Sequence, residues 1–121
     1  MNKLQTILVA DDSLTERTHL MQILQSAGYE VLSAASGNEA AAMAEQHQPD
    51  LIFLDIIMDD GDGYKACRTI KRNDATSEIP VIMVSSKSNP VDKKWAEKLG
   101  ASAYVVKPYA DEEILQALNS V

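Results

Sequence analysis

The run Leu51-Ile52-Phe53-Leu54-Asp55-Ile56-Ile57-Met58 constrains this chain more than any other stretch, because it is apolar at every position but one. Alternation of apolar and polar residues would mark a strand with one wet face. A continuous apolar run closed by turn residues marks a strand covered on both faces, which is how parallel sheets are built. Such a sheet needs crossover helices, and it binds ligands outside the carboxyl ends of its strands. Asp55 stands at that edge, followed by the acidic loop Asp59-Asp60-Gly61-Asp62-Gly63.

A second apolar run, Ile7-Leu8-Val9-Ala10, ends in two adjacent carboxylates, Asp11 and Asp12. Acids at neighbouring strand ends raise one another's pKa unless a cation shares the site, and hard oxygen ligands with room for water suit Mg²⁺. A third run, Tyr104-Val105-Val106, is followed by Lys107-Pro108, whose ammonium can answer the remaining charge.

The stretches between these runs read as helices and two further strands. Ser13-Leu14-Thr15-Glu16 has capping-box spacing, in which the Ser hydroxyl and the Glu carboxylate satisfy free N–H groups at a helix start. Leu20, Ile23, Leu24 and Ala27 recur at helical spacing, and Gly28 supplies the stop. The stretch from Val31 to Ala34 is short and more polar, which predicts an edge strand. Ser36-Gly37-Asn38-Glu39 repeats the box spacing ahead of the small face Ala40, Met43 and Ala44, and Pro49 ends the segment. Tyr64, Ala66, Cys67 and Ile70 predict a third helix that breaks near Asn73-Asp74. After Pro80, Val81 to Val84 predicts a buried strand running into Ser85-Ser86-Lys87. Asn89-Pro90 predicts a helix opening whose apolar face is Val91, Trp95 and Leu99; Ile114, Leu115, Leu118 and Val121 predict the last helix.

Five strands alternating with five helices predict a doubly wound α/β domain, a five-stranded parallel sheet in the flavodoxin-like order 2-1-3-4-5. At 121 residues the chain is expected to be one domain, residues 1–121. The formal charge of −7 argues against attraction to nucleic acid or anionic lipid. No apolar run approaches the ~18 residues that span a bilayer, and the N-terminus lacks a signal peptide's long apolar region, so a cytoplasmic address without membrane insertion is expected. The lone Cys67 reads as a packing residue.

Asp11-Asp12-Ser13, Asp55, Gly63, Ser85 and Lys107-Pro108 together resemble the CheY-like receiver domains of two-component response regulators, over essentially the whole chain. Within that family, Ile7 to Glu16, Ile79 to Lys87 and Asp92-Lys93-Lys94-Trp95 are most similar to the single-domain regulators of type IV pilus twitching motility, the PilG and PilH type. The resemblance implies that Asp55 accepts a phosphoryl group from a histidine kinase or phosphotransfer domain. It also implies that Asp11, Asp12, Asp55 and the backbone carbonyl of Ile57 hold Mg²⁺, that Ser85 and Lys107 bond the phosphoryl oxygens, and that Ser85 and Tyr104 form the switch. A downstream motility protein would then dock on the face of helix 4, strand 5 and helix 5, around Trp95, Tyr104 and Ile114. Such a domain promotes its own phosphorylation without being a conventional enzyme.

The chain departs from the family after Asp55, where Met58 is followed by Asp59-Asp60-Gly61 in place of the common Met-Pro, and at Ser85, where Thr is commoner. These differences bear on metal affinity, loop stiffness and the tightness of the switch. Other readings are a phosphate sink or a phosphorylation-independent module. A Mg²⁺-dependent aspartyl-phosphate hydrolase is a further one, but it would want a second acid where Ile57 stands.

Overall fold

The computed structural model describes residues 5–58 and 62–121. Their order is β1 (Thr6–Ala10), α1 (Leu14–Ser26), β2 (Glu30–Ala34), α2 (Gly37–His47), β3 (Leu51–Asp55), α3 (Gly63–Arg72), β4 (Val81–Ser85), α4 (Pro90–Lys98), β5 (Ala103–Val106) and α5 (Asp111–Asn119). All neighbouring strands pair in parallel, in the order β2-β1-β3-β4-β5. The predicted doubly wound topology is therefore the observed one, and the more polar β2 lies at an edge.

Side chains alternate across a strand, so the central strands feed two cores. Leu8, Ile52, Leu54, Val81 and Met83 face α2, α3 and α4 through Ala40, Ala44, Ala66, Cys67 and Ala96. Ile7, Val9, Leu51, Phe53, Ile82 and Val84 face α1 and α5 through Leu20, Leu24, Ile114 and Leu118. The first layer is rich in alanine on the helix side, which lets three helices lie close to one face of the sheet. Burial of β3 and β4 is complete along their whole length, and β3 carries Asp55 inside the strand as its last residue.

Helix starts follow the predicted caps, with two changes of partner on the glutamate side. Ser13 Oγ accepts the Glu16 N–H and Asn89 Oδ1 accepts the Asp92 N–H, with Pro90 in the first turn. In α2, Ser36 Oγ accepts the Glu39 N–H, and the Glu39 carboxylate accepts the Ala35 N–H. In α1 the reciprocal half of the box is absent: the Ser13 N–H goes to Asp11 Oδ1 at 2.9 Å, and the Glu16 carboxylate goes to Lys107. Gly28, at φ 97°, closes α1 in the left-handed backbone region that side chains disfavour.

Three expectations about the C-terminal third are corrected. Of the apolar face expected for α4, Val91 is 76% exposed, Trp95 is only partly buried, as its place on the expected docking face requires, and Leu99 packs against the core from the end of the helix; Ala96 is the residue that α4 buries. A nine-residue helix seated by one alanine has its large side chains left over for the outside. Ile114 is fully buried, so it cannot belong to a docking surface. Val121 lies beyond α5 and is exposed.

Candidate functional site

The sheet's own hydrogen-bond ladder carries the site residues past the ends of the strands. Asp11 N–H donates to the Ala34 carbonyl, Ile56 N–H to that of Val84 and Lys107 N–H to that of Ser85, which extends the β1–β2, β3–β4 and β4–β5 pairings by one step. The order β1-β3-β4-β5 then brings Asp11, Asp12, Asp55 and Lys107 to one edge, although 96 residues separate Asp11 from Lys107. A cleft of about 720 Å³ opens there, walled by Asp12, Asp55 and Lys107 together with His19, Ser86 and Tyr109.

Lys107 Nζ lies 3.0 Å from Asp11 Oδ2 and 3.2 Å from Asp55 Oδ2, and it also bonds the Glu16 carboxylate. Asp55 is 8% exposed and its other oxygen, Oδ1, accepts the Ile57 N–H at 3.2 Å. Burial is the largest influence on the Asp55 carboxyl and pushes it up to about 6, with Lys107 working against that shift and Asp11 with it. Burial alone would lower the Lys107 pKa, yet Glu16, Asp55 and Asp11 together raise it. The ammonium stays charged at any physiological pH.

One carboxylate oxygen from each of Asp11, Asp12 and Asp55 lies within 4.8 Å of the other two. Asp12 is exposed while Asp11 and Asp55 are buried, so the cluster faces the cleft on one side and protein on the other. Hard oxygen donors at this spacing, open to water, fit a Mg²⁺ ion and do not suit a soft metal.

Gly63 is required by a close approach. A Cβ on it would stand 2.2 Å from the Asp55 carbonyl oxygen and 2.7 Å from Ile56 Cα, and its N–H donates to the Ile56 carbonyl. The start of α3 is thereby pressed against the backbone that presents Asp55. The loop residues Asp59, Asp60 and Gly61, noted as a departure in sequence, lie outside the described residues; Asp62 caps α3 by accepting the Lys65 N–H.

Ser85 and Tyr104 meet through a residue that sequence reasoning passed over. Ser85 is fully buried and its hydroxyl accepts the Lys87 N–H at 3.1 Å, while Tyr104 Oη donates to the Lys87 carbonyl at 2.7 Å. The cleft wall at this point is Ser86, not Ser85. Two more participants escaped notice. Arg17 Nη1 donates to the Asp11 carbonyl at 2.7 Å, and Glu16 reaches Lys107. Glu16 lies in the first turn of α1, directly after the strand end that carries Asp11 and Asp12, and that closeness in sequence was the available signal.

Residues 7–119 match the response regulator receiver domain family. The chain belongs to that family. This receiver is 39% identical to protein PilH of Pseudomonas aeruginosa, over 95% of each chain. It is also 39% identical to protein PilG of the same organism, over 94% of this chain and 84% of that one. Among solved structures, Vibrio cholerae chemotaxis protein CheY4 superposes with a TM-score of 0.92 at 31% identity, covering 98% of this chain and 99% of the other. The receiver domain of sensor histidine kinase PA1611 from P. aeruginosa, whose structure has a magnesium ion in its active-site cleft, gives 0.88 at 28% identity over 97% and 96%. The doubly wound receiver fold and the role of a phosphorelay response regulator thus hold for this chain. Among the described residues no helix is long and apolar enough to cross a membrane.

Proposed function

We propose that this receiver accepts a phosphoryl group on Asp55 from the phosphohistidine of a histidine kinase or phosphotransfer domain, and that the acyl phosphate alters binding to a protein controlling type IV pilus motility. One observation carries the reading: Asp55 is the carboxylate that joins the three-acid cluster, bonds Lys107 and lies on the cleft, all at once. In the transfer an Asp55 oxygen forms a bond to phosphorus as the P–N bond breaks, and the electron pair leaves with the imidazole. Asp11, Asp12 and Asp55 would hold Mg²⁺, with the Ile57 carbonyl as a further ligand; when bound, the ion neutralises oxygens of the transferring group. Lys107 supplies the protein's own positive charge at the place where negative charge arrives, and the Ile57 N–H holds one oxygen of the carboxylate in place.

Ser85 would then bond a phosphoryl oxygen, giving up Lys87, and Tyr104 would turn in response. The docking face is that of α4, β5 and α5, with Trp95 and Tyr104 on it and without Ile114. The similarity to PilH and PilG supports the pilus assignment and a cytoplasmic address. The test is transfer from phosphoramidate or a phosphorylated kinase to wild type and Asp55→Asn: the wild type should label and the variant should not. A variant labelling at the wild-type rate would place the acceptor elsewhere. Partner binding measured with and without phosphorylation separates a switch from a phosphate sink, in which binding would not change.

A further inference from the structure

We infer that Glu16 is a positioning residue that holds the Lys107 ammonium back from an incoming phosphoryl group, and so limits how fast Asp55 is phosphorylated. This rests on Asp55 being the acceptor. An ammonium has three N–H donors, and Lys107 meets a carboxylate with each of them: Asp11, Asp55 and Glu16. No donor remains for a phosphoryl oxygen, so one of these bonds must open before Lys107 can serve the transferred group.

Geometry decides which one opens. Asp55, the acceptor, is 8% exposed and fixed at its other oxygen by the Ile57 N–H, so it does not swing away from Lys107. Asp11 is 5% exposed and anchored twice more, by the Ser13 N–H on Oδ1 and by Arg17 on its carbonyl. Glu16 has a side chain 51% exposed, and it stands outside the three-acid cluster. Its backbone N–H is held by Ser13 Oγ, so its carboxylate can swing into water while α1 stays in place. Nor is that carboxylate needed to cap the helix, since the Ser13 N–H is already taken by Asp11.

Glu16→Gln keeps the size of the side chain and removes its charge. An exposed ion pair weighs about two- to fivefold in an equilibrium, so labelling of Glu16→Gln by phosphoramidate at saturating Mg²⁺ should run about two- to fivefold faster than wild type. The acceleration should vanish when Lys107→Gln is made in both proteins, because the bond being released is then gone. In the protein without Mg²⁺, NMR relaxation of the Lys107 side chain should show greater mobility in Glu16→Gln than in wild type. Labelling at the wild-type rate overturns the inference, and so does an acceleration of the same size without Lys107. Should the Lys107 variants not label at all, the relaxation measurement decides alone, and unchanged Lys107 mobility overturns it. A wild type that does not label sinks the assignment of Asp55 instead.

Discussion

Asp55 is kept out of water by the same packing that makes β3 a central strand, and the cost appears in its titration. The carboxyl is raised from 3.8 to about 6, burial being the main cause. A folded-state pKa above the unfolded one means that the folded protein binds the extra proton, so Asp55 disfavours folding increasingly as pH rises from about 4 to about 6 and fully above that. Without Mg²⁺, Asp55→Asn should therefore be more stable than wild type at pH 8, by at most roughly 3 kcal/mol, and no more stable than wild type below pH ~4. Urea unfolding in chelator at a series of pH values measures this; a difference that does not vary with pH would show that the charge of Asp55 is not strained. Gly63 is the second residue whose identity is forced. Gly63→Ala would drive a methyl group into the Asp55 carbonyl, and a loss of roughly 2–3 kcal/mol is expected together with slower phosphorylation, since the backbone that moves is the one presenting the acceptor. Wild-type stability in that variant would mean that α3 shifts freely.

At the scale of elements, the β4–α4 connection is where a local event can become a change of surface. Ser85 and Tyr104 grip Lys87 from two sides, one through its N–H and one through its carbonyl. If the Ser85 hydroxyl leaves for a phosphoryl oxygen, the loop loses one of its two holds. A charge-assisted hydrogen bond contributes ~1.5–3 kcal/mol, enough to shift a two-state balance about ten- to hundredfold. Ser85→Ala should accept phosphate as wild type does and lose most of the Tyr104 response, read by side-chain exchange in NMR; a full response without the hydroxyl would break this link. Helix α4 offers a separate check. Its Trp95 ring leans edge-on against Tyr64 with centroids 6.5 Å apart and is 43% exposed, whereas Ala96 is 1% exposed. Trp95→Ala is expected to cost under ~1 kcal/mol and Ala96→Leu ~1–3 kcal/mol by overpacking, as measured by denaturant unfolding. The opposite ranking would return α4 to the arrangement expected from its apolar spacing.

Across the whole molecule, the site exists only because the ends of β1, β3 and β5 share one edge of the sheet. Asp11 and Asp12 come from β1, Asp55 from β3 and Lys107 from β5, so any ligand of the acidic cluster binds the folded chain and not the unfolded one. Mg²⁺ at about a hundred times its dissociation constant should then add ~2.7 kcal/mol to stability. Asp12→Ala should lose most of that gain, because it removes one of the three carboxylates of the cluster. Thermal unfolding with and without Mg²⁺ measures the gain, and an undiminished gain in the variant would locate the ion elsewhere.

Much of this was legible in the order of residues. Apolar runs closed by Asp or Lys specify strands covered on both faces with charges at their tips. The right-handed crossover rule leaves few sheets that such runs can build, and Asp11, Asp12, Asp55 and Lys107 converge in the expected one. Caps at Ser13, Ser36 and Asn89 were legible too, because a cap is a contact between residues three apart. What the tertiary structure alone decided are the contacts made across the sheet edge. Glu16 has the spacing of a capping partner and instead bonds Lys107, 91 residues away, because Asp11 occupies the Ser13 N–H first. Trp95 has the spacing of a core residue and is only partly buried, because Ala96 is what lets α4 approach the sheet. Lys87 carries no signature at all, since its part is played by backbone atoms that every residue has. Local patterns record which groups could pair, and only the assembled sheet determines which partner arrives.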